Sequence, residues 1–163
     1  MLEQAIAALQ GLPAPLVVII IAATPILELR GAIPVAQGIY HYPAWVAFVL
    51  SVIGNMIPVI FVIYGWGAFI ALLESRLPRF HAFMNRYHER LHAKFENKID
   101  KYGPWALALF VAVPIPLSGV WSGAIIAWIF GLKKRSAFVA IFAGVIIAAS
   151  IVMAITTTSL HVL

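Results

Sequence analysis

The sequence predicts an all-α integral membrane protein, in which two re-entrant helical hairpins and two spanning helices form an inverted repeat. The first observation is composition, because 63% of the 163 residues are hydrophobic and 10% are charged, whereas soluble domains are about 25% charged. The second is that Asp, Glu, Lys and Arg are absent from residues 12–27, 44–73, 102–132 and 136–163. The third is that proline and glycine interrupt the first and third of these stretches. No linker rich in proline, glycine and serine separates the stretches, so we expect a single membrane domain over residues 1–163.

The first stretch predicts a helix that enters the membrane and turns back. It continues past Glu28 and Arg30 and is interrupted by Pro25, Gly31 and Pro34. Proline removes a backbone donor and clashes with the preceding turn, so a straight helix is not expected. At ~1.5 Å per residue, two half-helices of about 11 to 14 residues reach roughly the bilayer midplane.

The second stretch is long enough to span, since a helix that crosses the hydrocarbon needs about 20 residues. Asn55 and Pro58 are expected to interrupt it. They would either present an amide and freed carbonyls to the hairpin tips or simply kink the helix. Hairpin and span together form repeat one, residues 12–73.

A basic segment, residues 76–102, separates the two halves. It holds seven of the eleven Lys and Arg residues, and apolar side chains such as Phe80, Phe83, Met84 and Tyr87 recur in it at helical spacing. The pattern is typical of a helix that lies in the membrane interface on the cytoplasmic side, with its basic face towards anionic headgroups. Contact with a partner protein is the alternative.

The third and fourth stretches form repeat two, residues 103–160. Pro114, Pro116 and Gly119 lie at the centre of the third stretch and predict a second hairpin, while the fourth predicts a spanning helix. Ser118 and Ser122 supply hydroxyl groups, which either contact a substrate or serve helix packing.

The distribution of positive charge indicates how the stretches cross the membrane. Lys and Arg favour the cytoplasmic side. If all four stretches spanned, the basic segment and the cluster Lys133-Lys134-Arg135 would lie on opposite sides of the membrane. If the first and third stretches are re-entrant, ten of the eleven Lys and Arg residues lie on the same side. The second repeat is then inverted, as in many secondary transporters. The recurrence of Arg30-Gly31-Ala32-Ile33 as Ser122-Gly123-Ala124-Ile125 favours such a repeat.

Glu28 and Arg30 are the two charged residues inside an apolar stretch. A charge at the bilayer centre costs about 2.5 to 3.5 kcal/mol even on the lenient insertion scale, so such residues usually mark a transport pathway. Glu28 would be a protonatable coupling group and Arg30 an anchor for an anionic headgroup. A compatible interpretation is that the two residues pair and hold the hairpin closed.

One motif points to metal chemistry. His88-Glu89-Arg90-Leu91-His92 fits H-E-x-x-H, in which two His bind zinc and Glu acts as general base. Arg86 and Lys94 add positive charge around the would-be cation, and the motif lies on the polar face of the predicted interfacial helix. We therefore expect a solvated face and no metal, and an intramembrane zinc protease is the disfavoured alternative.

The motif Glu28-Leu29-Arg30-Gly31-Ala32-Ile33-Pro34 and the run from Pro114 to Ala124 resemble the two hairpins of small multidrug export proteins. The resemblance covers nearly the whole chain. That family is similar in plan to the DedA superfamily, whose members are implicated in lipid-carrier translocation and proton coupling. DedA proteins typically present arginines in the second hairpin, and this chain has none there. The resemblance implies these site residues: Glu28, Arg30, Gly31, Pro34, Pro114, Pro116, Ser118 and Gly119.

We therefore expect a small transporter and not an enzyme, with proton-coupled export or translocation of amphipathic or lipid-like substrates through a midplane site. Asn55 and Ser122 join the residues that the resemblance implies. No cofactor and no catalytic residue are expected. A non-transporting membrane scaffold is the alternative from another class.

The formal charge of +5 would suggest nucleic acid as a partner of a soluble domain. Here the positive charge flanks apolar stretches, so we expect membrane lipids as partners, no nucleic acid, and a multi-pass location in the cytoplasmic membrane. The substrate would be amphipathic or carry an anionic headgroup. So few helices enclose little volume, and a homodimer is expected through Gly65-x-Gly67 or Gly119-x-x-x-Gly123.

Overall fold

The computed structural model describes residues 11–76, 86, 89, 103–113 and 119–162. These residues are helical or lie in turns and short irregular connections, with no strand among them, which confirms the predicted all-helical class for this part of the chain. The helices are α1 (Ala14–Ala23), α2 (Glu28–Pro34), α3 (Ala44–Arg76), α4 (Pro104–Ala112), α5 (Val120–Ile129) and α6 (Lys134–Val162), and a π-helical turn (Val35–Ile39) continues α2.

Two helices are long and apolar enough to cross a membrane, and both coincide with the predicted spanning stretches. They are Ala44–Gly65 of α3 and Lys134–Leu160 of α6, with mean hydropathies of 2.5 and 2.8. Large apolar side chains are exposed along both helices, among them Ile53 and Ile57 of α3 and Phe142 of α6. Exposed apolar surface of this extent is unfavourable in water and is expected of helices that face lipid.

The first and third apolar stretches are broken into short helices, as predicted. Helices α1, α4 and α5 have 10, 9 and 10 residues, so each is about 15 Å long, half the ~30 Å hydrocarbon core. Thr24 joins α1 to α2, because its hydroxyl donates to the carbonyl of Ile21 at 2.7 Å and accepts the N–H of Leu27 at 3.4 Å. We call α1 and α2 the first helix pair, and α4 and α5 the second.

Glycine brings one helix of each pair close to a long helix. A Cβ atom at Gly54 of α3 would lie 2.5 Å from the carbonyl oxygen of Ile19 in α1, and one at Gly144 of α6 would lie 2.6 Å from the carbonyl oxygen of Ala108 in α4. Gly54 follows the first residue of its helix by ten positions, and so does Gly144. The two halves therefore use the same packing contact at the same position.

The long helix α3 runs without a break from Ala44 to Arg76, so Asn55 and Pro58 do not divide it into two helices. Membrane helices tolerate proline where neighbouring groups satisfy the freed carbonyl. The kink at Pro58 stays a prediction. Of the predicted interfacial helix that follows α3, Arg86 and Glu89 are described, and both are helical and exposed. Its remaining residues beyond Arg76 and before Gly103 lie outside the described part of the chain.

The expected dimer face at Gly119-x-x-x-Gly123 is wrong, because both glycines are buried inside the molecule. A Cβ atom at Gly123 would lie 2.6 Å from Val111 Cγ2 of α4, and one at Gly119 would overlap the carboxylate of Glu28. These small residues therefore allow close contacts within one chain. Gly65 is less crowded, since a Cβ atom added there would have the ring of Phe61 as its nearest neighbour, at 3.7 Å.

Candidate functional site

The two helix pairs contact each other where α1 ends and where α2 and α5 begin. The indole N–H of Trp121 in α5 donates to the carbonyl oxygen of Ala23, the last residue of α1, at 3.1 Å. The carboxylate of Glu28, the first residue of α2, accepts hydrogen bonds from the backbone N–H groups of Val120 and Trp121. One acidic side chain and one indole therefore join the two halves of the molecule.

Glu28 caps a helix of the other pair. The first N–H groups of a helix have no intrahelical partner, and the residue that precedes α5, Gly119, has no side chain to cap them. The carboxylate of Glu28 supplies the missing acceptor. Negative charge near a helix N-terminus stabilises by about 0.3 to 1 kcal/mol, and by up to ~2 kcal/mol where partly buried.

Gly119 leaves the space that this carboxylate occupies. A Cβ atom at position 119 would overlap both carboxylate oxygens of Glu28, so a larger residue would displace the acidic side chain from the N–H groups of Val120 and Trp121. The glycine at position 119, in the run from Pro114 to Ala124, is thus explained by the room it leaves for Glu28.

The backbone of Glu28 is itself unusual. Its φ angle is +49°, a left-handed conformation that is uncommon outside glycine and costs on the order of 1 to 3 kcal/mol. Such strain persists only where surrounding contacts maintain it, and here the contacts are those of the carboxylate with α5. Strained residues of this kind cluster at functional sites.

Arg30 lies beside Glu28 in a partly open position. Its Nη2 atom is 3.9 Å from Glu28 Oε2, and the two side chains are 25% and 7% exposed. The pairing suggested by the sequence is therefore present, but as a long contact. Pro34 has no N–H, so the carbonyl of Arg30 lacks its usual intrahelical donor and adds a polar atom to this region.

A small internal cavity adjoins the two charged side chains. It has a volume of about 10 Å³ and is lined by Glu28, Leu29, Arg30, Asn55, Val111, Gly119, Val120 and Ala148. A volume near 10 to 15 Å³ open to the centre of a water molecule is about the minimum that holds one water. The cavity in this conformation thus has room for a single water molecule.

Asn55 and Ser51 of α3 are fully buried polar side chains. Within the described part of the chain, the amide nitrogen and oxygen of Asn55 have no hydrogen-bond partner, and the hydroxyl of Ser51 has none either. A buried polar group without a partner destabilises the fold by about 1 to 3 kcal/mol, so the presence of polar side chains at positions 51 and 55 requires an explanation.

The structure brings four of the predicted site residues to one cavity, namely Glu28, Arg30, Asn55 and Gly119. Ser122 is half-buried in α5 and lies outside the cavity lining. Gly31 allows α2 to approach the turn before it, since a Cβ atom there would lie 2.9 Å from Leu27 Cβ. The following predicted residues lie outside the described residues: Pro114, Pro116, Ser118, His88 and His92.

Trp121 and Ser51 are the contacts that sequence reasoning missed. A signal was present for each. A buried tryptophan needs an acceptor for its indole N–H, and Ser51 precedes Asn55 by one helical turn, so that both share one face of an otherwise apolar helix.

The family described as "Putative small multi-drug export protein" matches residues 28–151, about three quarters of the chain. The match begins at Glu28 and includes every residue that lines the cavity. No curated protein and no solved structure matches the chain.

Proposed function

The chain belongs to the family of small multi-drug export proteins, and from this premise we propose that it exports amphipathic or lipid-like molecules in exchange for protons. Its two long apolar helices and its family both indicate a membrane protein. The family description names export and no catalysed reaction. In the proposed mechanism, Glu28 is the proton-binding group of a site at the bilayer midplane.

The contact of Glu28 with α5 is the observation that carries this proposal. Burial disfavours the ionised form of Glu28, and Arg30 and two N–H groups at the start of α5 offset part of that cost. Protonation removes the negative charge, so it weakens the contact between the two helix pairs. A proton would therefore control whether the pairs are joined or separated, which is the coupling that an alternating-access cycle requires.

The proposed architecture is two re-entrant hairpins and two spans related as an inverted repeat. The half-membrane length of α1, α4 and α5 supports re-entrant hairpins. The equivalent contacts of Gly54 and Gly144 support the repeat. With the basic residues on the cytoplasmic side, the chain would be a multi-pass protein of the cytoplasmic membrane.

The substrate would bind after the two helix pairs separate. A cavity of about 10 Å³ is too small for an amphipathic molecule, so the space beside Glu28 is closed to substrate in this conformation. Arg30 would hold an anionic headgroup, and the hydroxyls of Ser118 and Ser122 would complete the site. A second copy of the chain would supply further walls.

The experiment is proton flux in proteoliposomes that contain a pH-sensitive dye, with lipophilic cations and lipid phosphates added in turn. Wild type is expected to show substrate-dependent flux. Glu28→Gln keeps the size and an acceptor oxygen but cannot titrate, so its flux should be lost. Glu28→Asp should retain part of it.

Glu89→Gln is the matched control, because Glu89 is an exposed acid far along the sequence from the cavity residues. It should behave as wild type, whereas an intramembrane zinc protease would depend on it. Full flux in folded Glu28→Gln would reject proton coupling through Glu28. Folded wild type that is unresponsive to every substrate would favour the scaffold.

A further inference from the structure

We infer that a water molecule binds between Glu28 and Asn55, and that a path of polar groups through Ser51 connects this water with one end of the molecule only. We call the end with Lys133, Lys134 and Arg135 the basic end, and the other the opposite end. The role of Glu28 as the proton acceptor rests on the proposed function. The water site and the path rest on the packing alone.

Two contacts define the two ends. Lys134 Nζ, at the start of α6, lies 5.2 Å from the centre of the Tyr64 ring in α3. The side chains of Gln37 and Thr157 exchange hydrogen bonds of 3.3 and 3.4 Å, which joins the π-helical turn to the last part of α6. The start of α3 is therefore at the opposite end, and α3 and α6 run antiparallel.

Buried polar side chains are distributed unevenly between these ends. Among the described residues they are Glu28, Ser51, Asn55 and Thr156. Ser51 and Asn55 lie in the part of α3 that leads from the opposite end to the cavity. Thr156 lies in the last part of α6, which is also near the opposite end. Between the cavity and the basic end, Ser122 of α5 is half-buried, and a pocket of about 330 Å³ enters from the basic end as far as Ile63 and Ala127. The buried side chains on this side are apolar among the described residues: Met56, Val59, Val62, Ile63, Leu107, Ile141 and Val145.

The cavity itself fits a water molecule. Its volume of about 10 Å³ matches one water, and a buried water needs two to four polar partners, about the number that Asn55, Glu28 and Arg30 provide. The unpartnered amide atoms of Asn55 would be satisfied by it. A metal cation is disfavoured, because the guanidinium of Arg30 already lies 3.9 Å from the Glu28 carboxylate.

Ser51 extends the polar path by one helical turn, about 6 Å along α3. Its hydroxyl is buried and has no partner in the described part of the chain, as expected of a group that bonds to transient water. In this conformation Glu28 would therefore exchange protons with the opposite end, which is the extracytoplasmic side if the basic end faces the cytoplasm.

The test introduces one cysteine at a time and follows its S–H stretching band by infrared spectroscopy. The chain has no cysteine of its own, so the band of each variant comes from the introduced residue alone. The variants are Ser51→Cys, Val59→Cys and Ile141→Cys in the full-length protein in lipid bilayers. All three native side chains are fully buried. Val59 lies two turns beyond Ser51 in α3, and Ile141 holds in α6 the position that Ser51 holds in α3.

Infrared spectroscopy after transfer to D₂O measures the exchange of S–H to S–D. We expect exchange at Ser51→Cys to be at least about tenfold faster than at both controls, because deuterium reaches it without local unfolding. Slow exchange at all three positions would overturn the inference. Fast exchange at all three would also overturn it, because the side towards the basic end would then be hydrated.

A second measurement needs no variant in the path. In wild type labelled with [¹⁵N]asparagine, the Asn55 signal is first distinguished from those of Asn85 and Asn97 with the variants Asn85→Gln and Asn97→Gln. Water-edited NMR should then transfer magnetisation from water to the side-chain amide of Asn55, and absence of this transfer would contradict the bound water. Neither readout requires transport. Failure of the flux assay together with fast exchange at position 51 would therefore reject the proposed function and leave the water path standing.

Discussion

Glu28 combines three properties that rarely occur in one residue: burial, a left-handed backbone and contact with the start of a helix from the other half of the chain. Burial of the carboxylate and the left-handed backbone each destabilise the fold, whereas the contact with the helix start stabilises it. They are compatible because Gly119 leaves room for the carboxylate and because α5 offers unpaired N–H groups. At the scale of the residue, the conformation of Glu28 therefore depends on both Gly119 and the N–H groups at the start of α5.

Gly119→Ala should displace the Glu28 carboxylate from α5. We expect a loss of about 1 to 3 kcal/mol in stability from overpacking and a loss of Glu28-dependent flux. Thermal unfolding in one fixed lipid or detergent measures the first effect. Gly38→Ala is the control, since the nearest atom to its Cβ would be Leu160 Cδ2 at 3.9 Å.

A double-mutant cycle identifies the cause of this loss. If the clash is with Glu28, Gly119→Ala should cost clearly less stability in a Glu28→Ala background than in wild type. Equal costs in both backgrounds would mean that the alanine disturbs the fold in another way.

Trp121→Phe should keep an aromatic ring but remove the hydrogen bond to the carbonyl of Ala23. A net loss of about 0.5 to 1.5 kcal/mol in stability is expected, measured by thermal unfolding. Trp105→Phe is the matched control, because Trp105 is 73% exposed. If both variants lost the same stability, the indole hydrogen bond would have no special role.

At the scale of the helix, close contacts between backbones fix how each pair packs on a long helix. Gly54→Ala and Gly144→Ala should each destabilise by about 1 to 3 kcal/mol, because the added Cβ meets a backbone carbonyl that cannot move aside easily. Gly65→Ala should be near neutral, since its closest neighbour is at 3.7 Å. Thermal unfolding of the three variants tests this, and a neutral Gly54→Ala would contradict the close contact.

The sequence predicted which helices are broken but not how they end. Pro25 marked the first break, yet the Thr24 hydroxyl builds the turn by bonding on both sides of it. Pro58 suggested either an interruption or a kink, and α3 is not interrupted there, because packing around a long helix decides whether a missing hydrogen bond is tolerated. That packing cannot be predicted from the local sequence around Pro58.

The same limit applies to the site. Glu28, Arg30 and Asn55 could be predicted because polar side chains are conspicuous in apolar helices. The need of Trp121 for an acceptor could also be expected, but not which group supplies it, because the acceptor is 98 residues away in the sequence. Which N–H groups receive the Glu28 carboxylate likewise depends on how two distant segments meet.

At the scale of the whole molecule, the proposed re-entrant hairpins predict that the two ends of each helix pair lie on the same side of the membrane. Leu12→Cys and His41→Cys should both react with a membrane-impermeant maleimide in intact cells, because both ends of the first pair would lie on the extracytoplasmic side. Pro104→Cys and Lys133→Cys should react only after permeabilisation. Labelling of Leu12→Cys and His41→Cys from opposite sides would mean that the first stretch spans the membrane.

The packing equivalence of Gly54 and Gly144 has a consequence for energetics. Transporters built from inverted repeats are expected to reach their second state when each half adopts the conformation of the other. In the proposed inverted repeat, Ser51 and Asn55 of one half would correspond to Ile141 and Val145 of the other. The exchanged state would thus have a dry interior where the first state has a polar one, so the two states differ in energy before any substrate or gradient acts on them.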